Sequence, residues 1–268
     1  MKFVYRCIIM KIIFLGDIVG KTGREAVKKV LPKLKKKFKP DIVIANCENI
    51  SHGSGASNKT LDEMKDAGIN YFTAGNHIFK GVKNGSIWER DDLVRPLNYP
   101  SDSRVPGVGF LKMKILGEEI LLVSLQGLVF MPEYIESPFR IFKEFLSEHK
   151  NKLVVVDFHG EATSEKITFG LAFDGKANAV FGTHTHIQTA DERILPGGTA
   201  YITDAGMCGS QNSSIGIDFQ EIIKHFETGL KFKTEPGEFP AIVCGVLVDI
   251  DFSHRKAKKI TRIFEVVK

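Results

Sequence analysis

The sequence predicts an α/β fold, a two-sheet β-sandwich flanked by helices. Three observations carry that expectation. Short apolar runs that read as buried strands alternate with helical or irregular segments. These runs fall into two β-rich halves of the 268 residues. No Pro/Gly-rich linker, internal repeat or low-complexity stretch divides the halves, so residues 10–268 are expected to form a single domain.

Taken in order, Lys11–Leu15 (KIIFL) reads as a buried strand. Gly20–Phe38 follows as a helix, with a kink expected at Pro32 because proline lacks the N–H that an interior turn needs. Asp41–Ala45 is the next apolar run, and Lys59–Ala67 reads as a helix stopped by Gly68. Tyr71–Ala74 is a third strand. Further strands are expected at Glu119–Leu125, Leu153–Val156, Ala179–Phe181, Ala200–Thr203 and Ile242–Ile250, with a helix over Ser137–Lys150. Residues 1–9 read as an N-terminal extension, with Met10 as the native start. The segment MKFVYRCIIMKIIFL superficially resembles a secretory signal, but Lys11 interrupts it and no small-residue cleavage site follows.

Composition narrows the classes. Hydrophobic residues make up 43% and charged residues 26%, which excludes a disordered chain, a collagen-like fibre and a coiled-coil rod. No apolar run approaches the roughly 18 residues of a membrane span. The four cysteines, Cys7, Cys47, Cys208 and Cys244, are too scattered for a disulfide framework and suit a reducing cytoplasm. A net charge of +5 is weak support for a nucleic-acid partner. The excess is local: Lys28, Lys29, Lys33, Lys35, Lys36, Lys37 and Lys39 crowd one segment. That run reads first as a solvated helix face, then as an attractor of phosphorylated substrates, and last as an RNA patch, since only Phe38 interleaves it.

What ends each strand is more informative. IIFL runs into Gly16–Asp17, DIVIA into Asn46–Cys47–Glu48–Asn49, and YFTA into Gly75–Asn76–His77. LVVVDF runs into His159–Gly160–Glu161, and AVF into Gly182–Thr183–His184–Thr185–His186. Strand C-termini of open α/β sheets share one ligand-binding edge, so these residues are expected to converge. An aspartate after a strand can simply cap a turn, and a lone histidine is often packing. Five such ends together point to a site. Asp17, Glu48, Asn49, Asn76, His77, His159, His184 and His186 offer oxygen and imidazole donors and no thiolate, a set suited to Mn, Fe or Zn. Eight candidates exceed the needs of one ion, and paired ions roughly 3.5–4 Å apart are the standard clamp for phosphoester hydrolysis. On a strand, the i, i+2 spacing of His184 and His186 would put both imidazoles on one face. Glu161 reads as a partner orienting a ligating histidine, Cys47 as a core residue, and His52, His149, His225 and His254 as surface.

In that order, Asp17, Gly75–Asn76–His77, His159 and Gly182–Thr183–His184–Thr185–His186 resemble the motifs of calcineurin-like metallophosphoesterases. LGDIVGKTGR at 15–24, CEN at 47–49 and ADERILPGGTAYITDAG at 190–206 resemble the YmdB-like branch, bacterial phosphodiesterases acting on 2′,3′-cyclic nucleotides. The resemblance covers nearly the whole chain from Met10. It implies a four-layer α/β/β/α arrangement and two ions, iron or manganese first and zinc next. Asp17 and His186 would bind the first ion, with Asn49 supplementing it. Glu48 would bridge, and Asn76, His159 and His184 would bind the second. His77 would lie over the phosphate and stabilise its oxygens or protonate the leaving oxygen. Where the wider superfamily has Asp-x-His, this chain has Asp17–Ile18–Val19, and Asn49 would compensate. Phe79 stands where relatives are expected to carry Trp.

The implied reaction is hydrolysis of 2′,3′-cyclic nucleotides to 3′-nucleotides by hydroxide held between the metals. A phosphomonoesterase or nucleotidase on the same site is the alternative within enzymes. A regulatory, RNA-associated protein with a structural metal site is the alternative outside them. Arg24, in the Gly20–Arg24 turn, and Cys208 are the candidate substrate contacts, each with a packing alternative. The turn itself is a candidate anion site at a helix N-terminus. An assembly of identical chains is also expected from the resemblance.

Overall fold

A computed structural model describes residues 8–80, 85–100, 104–230 and 233–268. The chain begins with β1 (Ile9–Leu15), β2 (Asp17–Ile18), α1 (Gly20–Phe38), β3 (Ile42–Asn46), α2 (Asn58–Asp66), β4 (Tyr71–Thr73) and β5 (Leu93–Val94). It continues with β6 (Phe110–Ile115), β7 (Glu118–Gln126), α3 (Pro138–Glu148), β8 (Leu153–His159), α4 (Thr163–Ala172) and β9 (Ala179–Thr183). It closes with β10 (Arg193–Ile194), β11 (Ala200–Ile202), β12 (Met207–Ser210), α5 (Phe219–Thr228), β13 (Ala241–Asp251) and β14 (Lys256–Val267).

Among the described residues the strands form two sheets. One runs β2-β12-β13-β1-β3-β4-β5, with β14 also paired to β13; the other runs β10-β11-β9-β8-β7-β6. Within the first, β1, β3, β4 and β5 are parallel. Within the second, β7, β8, β9 and β11 are parallel. Their carboxyl ends therefore share one edge in each sheet.

The apolar runs are continuous because both faces of these strands are covered. Ile13 and Leu15 of β1 pack in a cluster with Ala26, Val27, Val30, Leu31 and Leu34 of α1 and Leu61 and Met64 of α2. The alternate residues, Ile12 and Phe14, turn to a second cluster with Ile120, Leu122, Val155 and Phe181 of the other sheet. The Phe14 and Phe181 rings meet across it at 4.7 Å. A third cluster joins Leu121, Val123, Val154 and Val156 to Phe142 and Phe145 of α3 and Phe169 of α4. Each fully buried Phe or Leu of this kind contributes about 1.5–3 kcal/mol.

One expectation needs correction. β13 does not belong to a second-half sheet: it pairs antiparallel with β1, Ile12 against Val248 and Leu15 against Gly245, and closes the exposed flank of the first sheet. Residues 1–7 of the expected extension lie outside the described residues, but its last residue, Ile9, opens β1 opposite Asp251.

Candidate metal centre

The strand ends deliver their side chains to one place. Glu48 and Asn49 follow β3, Asn76 and His77 follow β4, His159 ends β8, and His184 and His186 follow β9. Asp17 follows β1 after Gly16. Gly75 is required here by close approach: a Cβ on it would stand 2.2 Å from His159 Cδ2 and 2.4 Å from Glu48 Oε2.

Nε2 of His159 lies 3.0 Å from Nδ1 of His184, 3.1 Å from Oε2 of Glu48 and 3.3 Å from Oδ1 of Asn76. The ligand atoms of Glu48, His159 and His184 all lie within 4.8 Å of one another. These atoms are electron-pair donors, so a positive charge, a proton or a cation, has to sit among them. The tautomer of His159 fits. Thr183 Oγ1 donates to Asp157 Oδ1 at 2.6 Å and accepts from His159 Nδ1 at 2.9 Å, which turns Nε2 toward the cluster. His184 presents Nδ1 instead and directs Nε2 to Glu161 Oε2 at 3.2 Å.

A second group adjoins the first. Asp17 is fully buried, and its Oδ1 has no hydrogen-bond partner. His186 Nε2 lies 3.6 Å from that oxygen. The ring donates from Nδ1 to the Ile215 carbonyl at 2.7 Å, so Nε2 is the nitrogen turned toward Asp17, holding either a proton or a cation. An orphaned carboxylate oxygen facing that nitrogen fits a cation in place of the proton. Asn49 Nδ2 bridges to Glu48 Oε1 at 3.1 Å and His186 Nε2 at 3.2 Å, while its Oδ1 meets His77 Nδ1 at 3.0 Å. Glu48 thus spans both groups.

The charges are mutually compensating. Burial would raise Asp17, yet His186 and His159 hold it well below the usual carboxylate range. Burial likewise opposes Glu48, which His159 holds low. Burial would lower His159 and His186, but Glu48 lifts the first and Asp17 the second to about 9. Burial and the neighbouring His159 charge push His184 down to about 3. His77 is lowered by burial against the pull of Glu48.

Five of the eight expected residues, Glu48, Asn49, His77, His184 and His186, line one cleft of about 360 Å³, which Val19, Ile215 and Ile217 wall on an apolar side, and Asp17, Asn76 and His159 are buried beside them. Those wall residues carry no signal in the sequence. Asp157 did carry one: it precedes His159 by two on β8 and so shares its face. The geometry of His184 and His186 differs from expectation. β9 ends at Thr183, and the two histidines have φ of +96° and +65°, so they converge through a strained turn and not by strand alternation.

Both candidate substrate contacts have packing partners. Arg24 Nε pairs with Glu63 at 2.7 Å and Nη1 donates to the Ile50 carbonyl at 2.6 Å, contacts that pack α1 against its neighbours. Cys208 is fully buried, with its thiol against the Cys244 carbonyl. The α1 N-terminus is also covered: Gly20 N–H donates to the Asn49 carbonyl, Thr22 hydroxyl to Gly237, and Pro236 packs where a Gly20 Cβ would stand. Cys47 is a core residue as expected. His149 is half-buried, stacked on Phe145 at 4.2 Å. In the lysine run, Lys28 pairs with Glu63 and Lys29 sits over the Phe239 ring.

No helix among the described residues is long and apolar enough to cross a membrane. A family model described as YmdB-like protein matches residues 13–263. A 2′,3′-cyclic-nucleotide 2′-phosphodiesterase of Bacillus subtilis is 44% identical over 257 residues, 95% of this chain and 96% of that protein. A crystal structure described as a novel phosphatase of Mycoplasma pneumoniae matches with a TM-score of 0.93 at 40% identity, covering 97% of this chain and 95% of that one. A hypothetical protein from Thermus thermophilus matches with a TM-score of 0.90 at 34% identity, over 97% of this chain and 100% of that one. With the motifs, the convergent donor cluster and a family match over nearly its whole length, the chain belongs to the YmdB-like protein family.

Proposed function

We propose that the chain is a metal-dependent phosphodiesterase that opens 2′,3′-cyclic nucleotides to 3′-nucleotides. The observation that carries this reading is the pair of adjoining donor groups spanned by Glu48. Asp17, His186 and Asn49 would hold one ion, Asn76, His159 and His184 a second, with Glu48 shared. Manganese or iron suits the oxygen–imidazole set first, and zinc next. When bound, the ions neutralise the phosphoryl oxygens and supply an acidified water. Ligation by Asn49 requires its amide to turn over, exchanging Nδ2 and Oδ1, so that His77 Nδ1 meets an N–H.

His77 is 28% exposed at the cleft and uses Nδ1 on Asn49, which leaves Nε2 for the substrate. Water attacks phosphorus, the bond from phosphorus to the 2′-oxygen breaks, and His77 supplies the proton or hydrogen bond that the departing 2′-oxygen needs. The apolar wall of Val19, Ile215 and Ile217 suits the nucleoside. The same reading takes residues 10–268 as one domain. Its layers run α/β/β/α, a stacking that the three separate hydrophobic clusters support. It also takes the protein to act in the cytoplasm as an assembly of identical chains.

The test is hydrolysis of 2′,3′-cyclic AMP and of 3′-AMP by manganese- and iron-loaded protein, with Glu48→Gln as control. Release of 3′-AMP without further dephosphorylation, abolished in the variant, is expected. Turnover of 3′-AMP instead would establish a phosphomonoesterase. Bound metal with no turnover of either compound would refute the substrate.

A further inference from the structure

The turn carrying His184 and His186 is held in an unfavourable shape. Both residues lie in the left-handed region, which costs free energy for any side chain with a Cβ. Such strain persists only where surrounding groups over-determine it. Here one buried carboxylate does so. Thr185, between the two histidines, donates to Asp204 Oδ2 twice, from its N–H at 3.1 Å and from its hydroxyl at 2.7 Å. The other oxygen, Oδ1, accepts the Gly206 N–H at 2.8 Å, and the Gly206 carbonyl accepts the Asp17 N–H at 3.1 Å. Asp204 therefore grips the His184–His186 turn with one oxygen and the backbone beside Asp17 with the other.

The carboxylate has a dedicated counter-ion. Lys166 of α4 reaches it with Nζ 2.7 Å from Oδ2, and the two side chains are 2% and 0% exposed. A fully buried ion pair is poor evidence of stability, because well-packed apolar residues often serve as well. Its retention next to a strained turn calls for another reason. We propose that Asp204, paired with Lys166, is the positioning residue of the metal centre, fixing His184, His186 and Asp17 relative to one another. The role rests on reading those three as ligands. It is a positioning role alone, since Asp204 Oδ1 and Oδ2 are already engaged by Gly206, Thr185 and Lys166.

Thr185→Val removes the hydroxyl donor, keeps the side-chain shape and leaves the buried pair intact. Manganese affinity, measured by competition with a chelator, is expected to fall roughly 10–100-fold. The melting temperature of the metal-free protein should stay within about 3 °C of the parent. Thr185→Ser, which restores the hydroxyl, should restore the affinity. Asp204→Asn should lower affinity further. Parental affinity in Thr185→Val, or failure of Thr185→Ser to recover it, would overturn the positioning role. His186→Ala separates the underlying reading: if it binds manganese as tightly as the parent, His186 is no ligand, and both readings fall together.

Discussion

Gly75→Ala tests whether the donor cluster is as tightly built as its distances say. Its φ of −122° lies outside the left-handed region, and the main effect is steric. The new methyl would stand 2.2 Å from His159 Cδ2, 2.3 Å from Nε2 and 2.4 Å from Glu48 Oε2, where ordinary contact begins at 3.4 Å. The backbone has little room to yield, because the Ala74 carbonyl accepts the Ser124 hydroxyl at 2.6 Å from the other sheet. The imidazole and carboxylate must therefore retreat by about 1 Å, a misplacement that costs roughly 100-fold in rate. Overpacking adds about 1–3 kcal/mol of destabilisation. Metal content by mass spectrometry, 2′,3′-cyclic AMP turnover and thermal unfolding would be read together. The expected result is a folded protein with weakened metal binding and kcat/KM lower by roughly 100-fold. Parental metal content and affinity, with kcat/KM within about twofold of the parent, would refute the reasoning.

His77→Ala should keep its metal and lose roughly 10²–10⁴-fold in kcat; joint loss of metal and turnover would make His77 a ligand. Arg24→Ala forfeits the bonds to Glu63 and Ile50 and should destabilise by about 1–3 kcal/mol, read by urea unfolding. Its KM for the cyclic nucleotide should not move, and a raised KM would return Arg24 to the substrate. His159 and His186, lifted to about 9 by Glu48 and Asp17 against burial, carry protons at neutral pH when no cation is bound. A cation must displace them, so metal affinity should rise with pH toward about 9, level off above it, and weaken as pH falls. Calorimetry of manganese binding at about pH 7.5 in buffers of different ionisation heat should report released protons; heats independent of buffer would contradict this account.

The strand ends were legible because the strands of both sheets are buried on both faces. Continuous apolar runs such as KIIFL and LVVVDF stand out, and each stops abruptly at a polar residue. The partners of late strands were not. β14 alternates buried Ile263 and Val267 with exposed Phe264 and Val266, and its lysines disguise it as a charged tail. β13 reads as any apolar strand; that it returns to β1 depends on which flank of the first sheet lies uncovered, a fact about the assembled sheet.

The His184–Thr185–His186 segment marks the boundary of local reading. Spacing i, i+2 led to the expectation of two imidazoles on one face, and both line one cleft, but by a geometry other than strand alternation. β9 stops at Thr183 because Asp204, 19 residues beyond Thr185, captures that threonine and bends it out of the ladder. A period of two describes side chains only while the backbone remains extended. Once a buried carboxylate competes for the N–H, the direction of each histidine is set by that bond and by the Ile215 carbonyl. The residues that decide the shape of the centre are therefore those holding its turns. Their signature in the sequence is an aspartate, a lysine and a threonine that no local pattern connects.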